Sequence, residues 1–218
     1  MGRSTEVTIA LEGVTLDGSL TVPDGPRGVV LFAHGSGSSR HSPRNRQVAD
    51  ALVAQGFATL LFDLLTTGEG RADAVDGHLR FDVGLLGDRL LGATEWLRSS
   101  EVAELSVGYF GASTGAGAAL VAAARLGDSV GAVVSRGGRP DLASRRVLER
   151  VAAPTLLIVG GLDATVLELN EQALMQIGSA KRLEIVPDAS HLFEEPGALD
   201  QVARLAAAWF REHINAPD

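Results

Sequence analysis

Apolar residues in this chain follow two different spacings. Short runs dominated by apolar and β-branched residues cover Gly28 to Ala33, Ala58 to Phe62, Leu105 to Phe110, Val130 to Ser135, Thr155 to Val159 and Arg182 to Val186. Runs of this length and type predict strands, most of them buried on both faces. Between them the apolar positions return every three or four residues. Pro43 to Gln55 has that helical spacing and ends at Gly56. Phe81 to Leu97 aligns Leu86, Leu90, Ala93 and Leu97 on one face, and Leu199 to Ile214 aligns Leu199, Val202, Ala206 and Trp209. A further helix of small residues runs from Ala116 to Leu126. At the start, Val7 to Leu11 and Val14 to Val22 flank Gly13 as a hairpin. Thr66 to His78 is polar and Gly-rich and is expected to be a loop beside the ligand site.

Strands alternating with helices predict an α/β architecture. We expect a mostly parallel sheet of about seven to eight strands, helices on both faces and the hairpin as an antiparallel edge. Chemistry in such sheets collects at the carboxyl ends of the strands. The chain has 218 residues and no internal linker, so one domain spanning 1–218 is expected.

The strand ending at Phe110 meets the helix of small residues through Gly111-Ala112-Ser113-Thr114-Gly115. A serine on a strand-to-helix turn this sharp is pushed away from the sheet with its hydroxyl exposed, and the glycines relieve crowding on either side. Ser113 is therefore the candidate nucleophile. G-x-S-x-G also arises by chance in a chain with 26 glycines, so a base and an acid must accompany it. His34, His41 and His78 precede the serine, and His213 lies on the closing helix. His191, in Pro187-Asp188-Ala189-Ser190-His191-Leu192-Phe193, follows a strand and is the candidate base. Asp163 follows the run Leu156 to Val159 through Gly160-Gly161-Leu162 and is the candidate orienting acid, with a helix N-cap as its plainer alternative. Asp188 reads as a turn residue. The Gly-rich segment His34-Gly35-Ser36-Gly37-Ser38-Ser39 follows another strand. Its Ser36 amide and the Thr114 amide are the expected oxyanion donors, with Gly35 or Gly37 as substitutes for Ser36. A phosphate-binding reading of that loop lacks both the following lysine and the GxGxxG spacing.

Composition narrows the chemistry further. The chain has no cysteine, so disulfides, thiolate metal sites and a cysteine nucleophile are excluded. Its net charge of −8 is spread along the chain, which argues against a nucleic-acid surface. No apolar run has the length of a membrane span, and the amino-terminal Met1 to Glu6 lacks an apolar signal core and the myristoylation pattern. A cytoplasmic protein is expected, without cofactor or metal and without nucleic-acid or membrane partner; a homodimer is left open.

These residues together resemble the α/β-hydrolase superfamily and, more narrowly, its dienelactone-hydrolase-like members. The likeness rests on His34-Gly35-Ser36-Gly37-Ser38, Phe62-Asp63-Leu64-Leu65-Thr66, Gly111 to Gly115, Gly160-Gly161-Leu162-Asp163 and Ala189-Ser190-His191, and it covers nearly the whole chain. It implies a Ser113, Asp163, His191 triad, a Ser36 and Thr114 oxyanion pair, and cleavage of small carboxylic esters or lactones. Dienelactone hydrolases are expected to use a cysteine where this chain has Ser113, so their substrate does not follow from the likeness. Asp63 reads as structural, with a minor claim as an alternative acid. Only Arg136-Gly137-Gly138-Arg139-Pro140 separates Ser135 from Asp141, which leaves no room for a lid. Arg40 and Arg136 follow strands on the same side and are candidate contacts for an anionic substrate, with local pairing as the plainer reading. Leu192 and Phe193 are candidate apolar contacts beside the base. A thioesterase or acyltransferase on the same residues, and a binding protein with little turnover, are the alternatives.

Overall fold

The computed structural model describes residues 2–214; Met1 and residues 215–218 of the expected 1–218 domain lie outside it. Eight strands form one sheet: β1 (Arg3–Leu11), β2 (Val14–Val22), β3 (Val29–Ala33), β4 (Ala58–Phe62), β5 (Val107–Ala112), β6 (Val130–Arg136), β7 (Thr155–Gly160) and β8 (Lys181–Val186). Their order is β1-β2-β4-β3-β5-β6-β7-β8. β1 and β2 are antiparallel, β2 joins β4 antiparallel, and every later pairing is parallel. The expected edge hairpin is there, and β1 starts at Arg3 rather than Val7 because it pairs with β2 along its full length. β5 begins two residues later than the apolar run suggests and extends to Ala112, directly before the serine.

The helices are α1 (Pro43–Ala54), α2 (Thr67–Asp76), α3 (Val83–Leu97), α4 (Thr114–Leu126), α5 (Arg145–Leu148), α6 (Ala164–Gln176) and α7 (Ala198–His213). Alternating strand residues separate two cores. Val29, Leu31, Leu60, Phe62, Tyr109 and Val133 face α3, α4 and the α5–α6 region. Val30, Phe32, Leu61, Phe110 and Val134 face α1 and α7. This two-residue alternation, covered on both sides, is the physical reason the central strands are apolar throughout. α4 is buried from Thr114 to Ala124, as only a helix of Gly, Ala and a few larger apolar residues can be so close to its neighbours. At Gly87 of α3 a Cβ would meet Val121 Cγ1 at 2.8 Å, which sets how near α3 and α4 pack. Tyr109 reaches α3 from the sheet. Thr94 Oγ1 donates its one proton to Leu90 O at 2.8 Å, so the Tyr109 hydroxyl donates to Thr94 Oγ1 at 2.7 Å.

One expectation is corrected. Thr66 to His78 is not a loop: most of it is α2. The Thr66 hydroxyl accepts from the Glu69 amide at 3.1 Å, and the Glu69 carboxylate accepts from the Thr66 amide at 2.8 Å. This reciprocal capping box starts the helix despite Gly68 and Gly70. Gly77, at φ 71°, ends it in the left-handed conformation. None of the α2 residues joins either core.

The connection after β3 leads to β4 on one side of the sheet, and the chain returns to β5 on the other. The strand order thus reverses at β3, and a crevice opens beyond the carboxyl ends of β3 and β5. The loop after β3 and the turn after β5 both end there. Among the described residues, no helix is long and apolar enough to cross a membrane.

Candidate active site

Ser113 occupies the N-cap of α4 at φ 51° and ψ −121°, a left-handed conformation that a non-glycine residue rarely holds. The surroundings impose it. The Ser113 amide donates to Arg136 O at 3.1 Å, and its carbonyl accepts from the amides of Ala116 at 3.1 Å and Arg139 at 3.0 Å. A Cβ at Gly115 would be driven into the carbonyl oxygens of Ala33 and His34, and one at Gly111 into the backbone of Ala116. The two glycines are therefore needed where β3, β5 and α4 come together, as the sequence motif implied.

The hydroxyl of Ser113 donates to His191 Nε2 at 3.3 Å, and His191 Nδ1–H donates to Asp163 Oδ2 at 2.6 Å. The three side chains, far apart in sequence, form one hydrogen-bonded line. Asp163 does stand at the N-cap of α6, the plainer alternative, but its side chain caps no amide and turns to the imidazole instead. The His191 turn is held tightly. Asp188 and Phe193 on either side of it both have positive φ, at 57° and 56°. Leu162 N–H donates to Ala189 O at 3.0 Å, and Gly160 has no Cβ because Ala189 O and Ser190 O press on it. A hydrogen bond from the Ser190 hydroxyl keeps the Glu195 pKa below the usual carboxylate range, which ties the turn to the loop after it. Gly137, at φ 51°, lies beneath the base; a Cβ there would sit 3.5 Å from the imidazole ring.

The loop after β3 faces this line. Ser38 N–H donates to Gly35 O at 3.2 Å, closing a turn whose corners are Ser36 and Gly37, the latter at φ 68°. A Cβ at Gly35 would touch Ser113 Cβ at 3.1 Å, so the loop passes against the serine itself. Leu64 N–H donates to His34 Nε2 at 3.1 Å, which leaves the proton on Nδ1 to bond Gly35 O at 3.0 Å. Burial lowers the His34 pKa and keeps the ring neutral, as this bridging arrangement requires. Thr114 is the first residue of α4, so its amide has no partner within the helix. Ser36 and Thr114 line the same cavity.

Two cavities adjoin across the Ser36 loop, whose Gly35, Ser36 and Ser38 line both, and Ser113 opens into the smaller. The larger, about 370 Å³, lies between the Ser36 loop and α2 and takes in Thr114, Thr66, Asp73 and Leu86. The smaller, about 210 Å³, takes in Ser113, His191, Leu192, Arg136, Arg44 and Asn45. The two arginines singled out in the sequence have different places. Arg40 is paired with Asp63, whose Oδ1 also accepts the Arg40 amide at 2.8 Å, and it lines neither cavity. Asp63 is thereby occupied as a structural partner. Arg136 lines the smaller cavity and is only 7% exposed. Burial, assisted by the charge of Arg44, pushes its pKa down to about 10. Leu192 is at the cavity wall, whereas Phe193 is buried with its ring centroid 5.8 Å from the Arg136 guanidinium carbon. Arg44 and Asn45 escape a strand-end search because they sit in the first turn of α1. The signal was Pro43: proline at the start of a helix places that first turn directly after the Ser36 loop.

The profile of the dienelactone hydrolase family matches residues 16–214. The crystal structure of dienelactone hydrolase from Anabaena variabilis ATCC 29413 is 58% identical, with a TM-score of 0.96 over 98% of this chain and 99% of that one. XC6422 from Xanthomonas campestris, described as a serine hydrolase without lid, shares the fold at 22% identity and a TM-score of 0.78. A Mycobacterium tuberculosis protein bearing the name "Putative phosphoribosyl transferase" is 58% identical over 216 residues, which are 99% of this chain and 48% of that protein. The chain thus spans about half the length of the curated relatives it matches. With the profile over most of its length and the described sheet and serine elbow matching, the chain belongs to the dienelactone hydrolase family and has the α/β-hydrolase fold.

Proposed function

We propose that this protein is a serine hydrolase that cleaves small carboxylic esters or lactones through an acyl-enzyme. The hydrogen-bonded line from Asp163 through His191 to a strained Ser113 is the observation that carries this reading. In the first step Ser113 Oγ bonds to the ester carbonyl carbon and its proton passes to His191 Nε2. The carbonyl oxygen becomes an oxyanion, received by the amides of Ser36 and Thr114; one such donor is typically worth about 3–4 kcal/mol of transition-state stabilisation. Asp163 keeps the imidazole in the productive tautomer and stabilises its cation. The carbon–oxygen bond to the leaving group then breaks, and that oxygen takes the proton from Nε2. Water repeats the sequence on the acyl-enzyme, releasing the acid and returning a proton to Ser113.

Water access favours hydrolysis over acyl transfer or thioester exchange: the His191 side chain is 37% exposed, and no lid covers it among the described residues. The phosphoribosyl transferase name belongs to proteins about twice as long, and the stretch they share with this chain takes in its own Ser113 elbow. A phosphoribosyl-transfer assay beside the esterase assay separates the two. The decisive experiment is turnover of short p-nitrophenyl esters by wild type and Ser113→Ala. We expect the variant to lose about 10⁵–10⁶-fold in kcat and to lose labelling by a fluorophosphonate. Unchanged turnover in that variant overturns the reading.

A further inference from the structure

Arginines near the site follow one rule, and Arg136 breaks it. Arg40 is paired with Asp63, Arg80 with Asp73 and Arg89 with Glu69. Arg136 is buried, yet its Nε and Nη1 have no hydrogen-bond partner among the described residues. No described carboxylate offsets its charge, and the neighbouring charge that acts on it is another cation, Arg44. Arg44 Nε is also buried without a partner, although Arg44 Nη1 donates to Glu194 at 3.1 Å. A bare guanidinium out of water is costly, and its planar fork suits two oxygens of a carboxylate or a phosphate. The buried carboxamide of Asn45, its Oδ1 unpartnered, lines the same wall and can serve as donor or acceptor.

The position of His191 says which part of the substrate carries the anion. The leaving oxygen must lie within reach of Nε2 to be protonated, so the leaving group extends into the space that His191 lines. That space is the smaller cavity, which Arg136, Arg44 and Asn45 share. The larger cavity adjoins it across Gly35, Ser36 and Ser38, takes in Thr114 and contains none of Ser113, His191 and Arg136, so it is the space toward which the acyl part extends from the oxyanion side. We propose that the substrates are esters whose leaving alcohol bears an anionic oxygen group, carboxylate or phosphate, held by Arg136 with Arg44, while the acyl part is neutral. This deepens the proposed hydrolase function and rests on it. The anionic group is unchanged in the reaction. Its alcohol oxygen loses the acyl carbon to Ser113, gains the proton from His191 and departs as a hydroxyl compound that is still an anion.

The test compares 4-carboxyphenyl butyrate with its neutral analogue 4-carbamoylphenyl butyrate, and with mono-(4-carbamoylphenyl) succinate, in which the acyl part holds the charge. Wild type should favour the first over the second in kcat/KM by at least about tenfold, the worth of one charge-assisted hydrogen bond. Arg136→Gln should bring that ratio to about one, with Arg136→Lys and Arg44→Gln intermediate. A wild-type ratio near one, or preference for the succinate, overturns the proposal. A binding arm needs no turnover: Ser113→Ala is titrated with 4-hydroxybenzoate, 4-hydroxyphenyl phosphate and 4-hydroxybenzamide. The anions should bind at least about tenfold more tightly than the amide, and the tighter of the two identifies the group. Adding Arg136→Gln should abolish the difference; equal binding of all three overturns the subsite. If wild type cleaves no ester and resists the fluorophosphonate, the hydrolase reading fails, and the titration still decides whether the anion site exists.

Discussion

Ser113 and Arg136 are both held in states they would not choose alone, one by its backbone and one by its charge. The Ser113 strain comes from its connections: the serine is bonded through its amide to the backbone of Arg136 and through its carbonyl to Arg139, so the elbow cannot relax without parting β5 from β6. The Arg136 cost is electrostatic. A pKa lowered from 12.5 to about 10 corresponds to about 3 kcal/mol by which burial disfavours the cation. Because the folded value lies below the unfolded one, this penalty is present at neutral pH and is relieved only as pH rises through the folded value. Arg136→Met removes the charge but also the packing of the guanidinium over Phe193. The net should still be stabilising, by about 1–3 kcal/mol or a few degrees in Tm. Thermal melts of the two proteins at neutral pH check this. A lower Tm in the variant would show that the guanidinium is structural, and a higher one with weaker anion binding would identify a residue kept for function at the expense of stability.

At the scale of elements, α2 is the part whose stability comes from polar contacts rather than from a core. Arg80 donates from its backbone to Asp73 Oδ1 at 3.0 Å, pairs with Oδ2 through Nε, and also bonds the Asp73 carbonyl. Burial works against the Asp73 carboxylate, yet these Arg80 bonds outweigh it and hold its pKa below 3.8. The folded value is depressed, so this contribution is complete above 3.8 and is lost as pH falls through the lower, folded value. Arg80→Gln should produce the loosened helix already at neutral pH. We expect tryptic cleavage after Arg71, slow in wild type, to accelerate by about tenfold or more in the variant. The same dependence on polar contacts explains why this helix was not legible in the sequence. The strands and α1, α3 and α7 were read from apolar runs and spacing, because these are what bury them, and α4 from its small residues after the serine turn. α2 has no apolar stripe, its Val75 is 89% exposed, and only the Thr66 and Glu69 pair signals its start. At the site, Ser113, Asp163 and His191 could be picked out because each follows a strand through a local glycine or turn signal. Arg40 and Arg136 looked equivalent, since pairing is decided by partners distant in sequence: Asp63 reaches one, and no described carboxylate reaches the other.

At the scale of the whole molecule, the charge of the protein opposes the charge of the substrate we propose. The chain has 19 Lys and Arg against 27 Asp and Glu, a net charge of −8, whereas the smaller cavity is cationic at Arg136 and Arg44. An approaching anion therefore meets long-range repulsion before it reaches short-range attraction. The two respond differently to salt. The repulsion comes from exposed charges spread over the surface, and the Debye length falls from about 30 Å at about 0.01 M to about 10 Å at about 0.1 M. Added salt removes most of it. The attraction at Arg136 is made in contact and inside the protein, where screening is weak. For esters with an anionic leaving group, kcat/KM should thus rise a few-fold over that range of ionic strength, while the neutral analogue stays flat. The comparison is made on one enzyme preparation, so stability and active fraction cancel. A fall with salt for the anionic ester would mean that exposed arginines, not the buried one, draw it in. A flat response for both esters would mean that the anion never feels the charge of the protein, which the bare guanidinium beside Ser113 makes the least expected result.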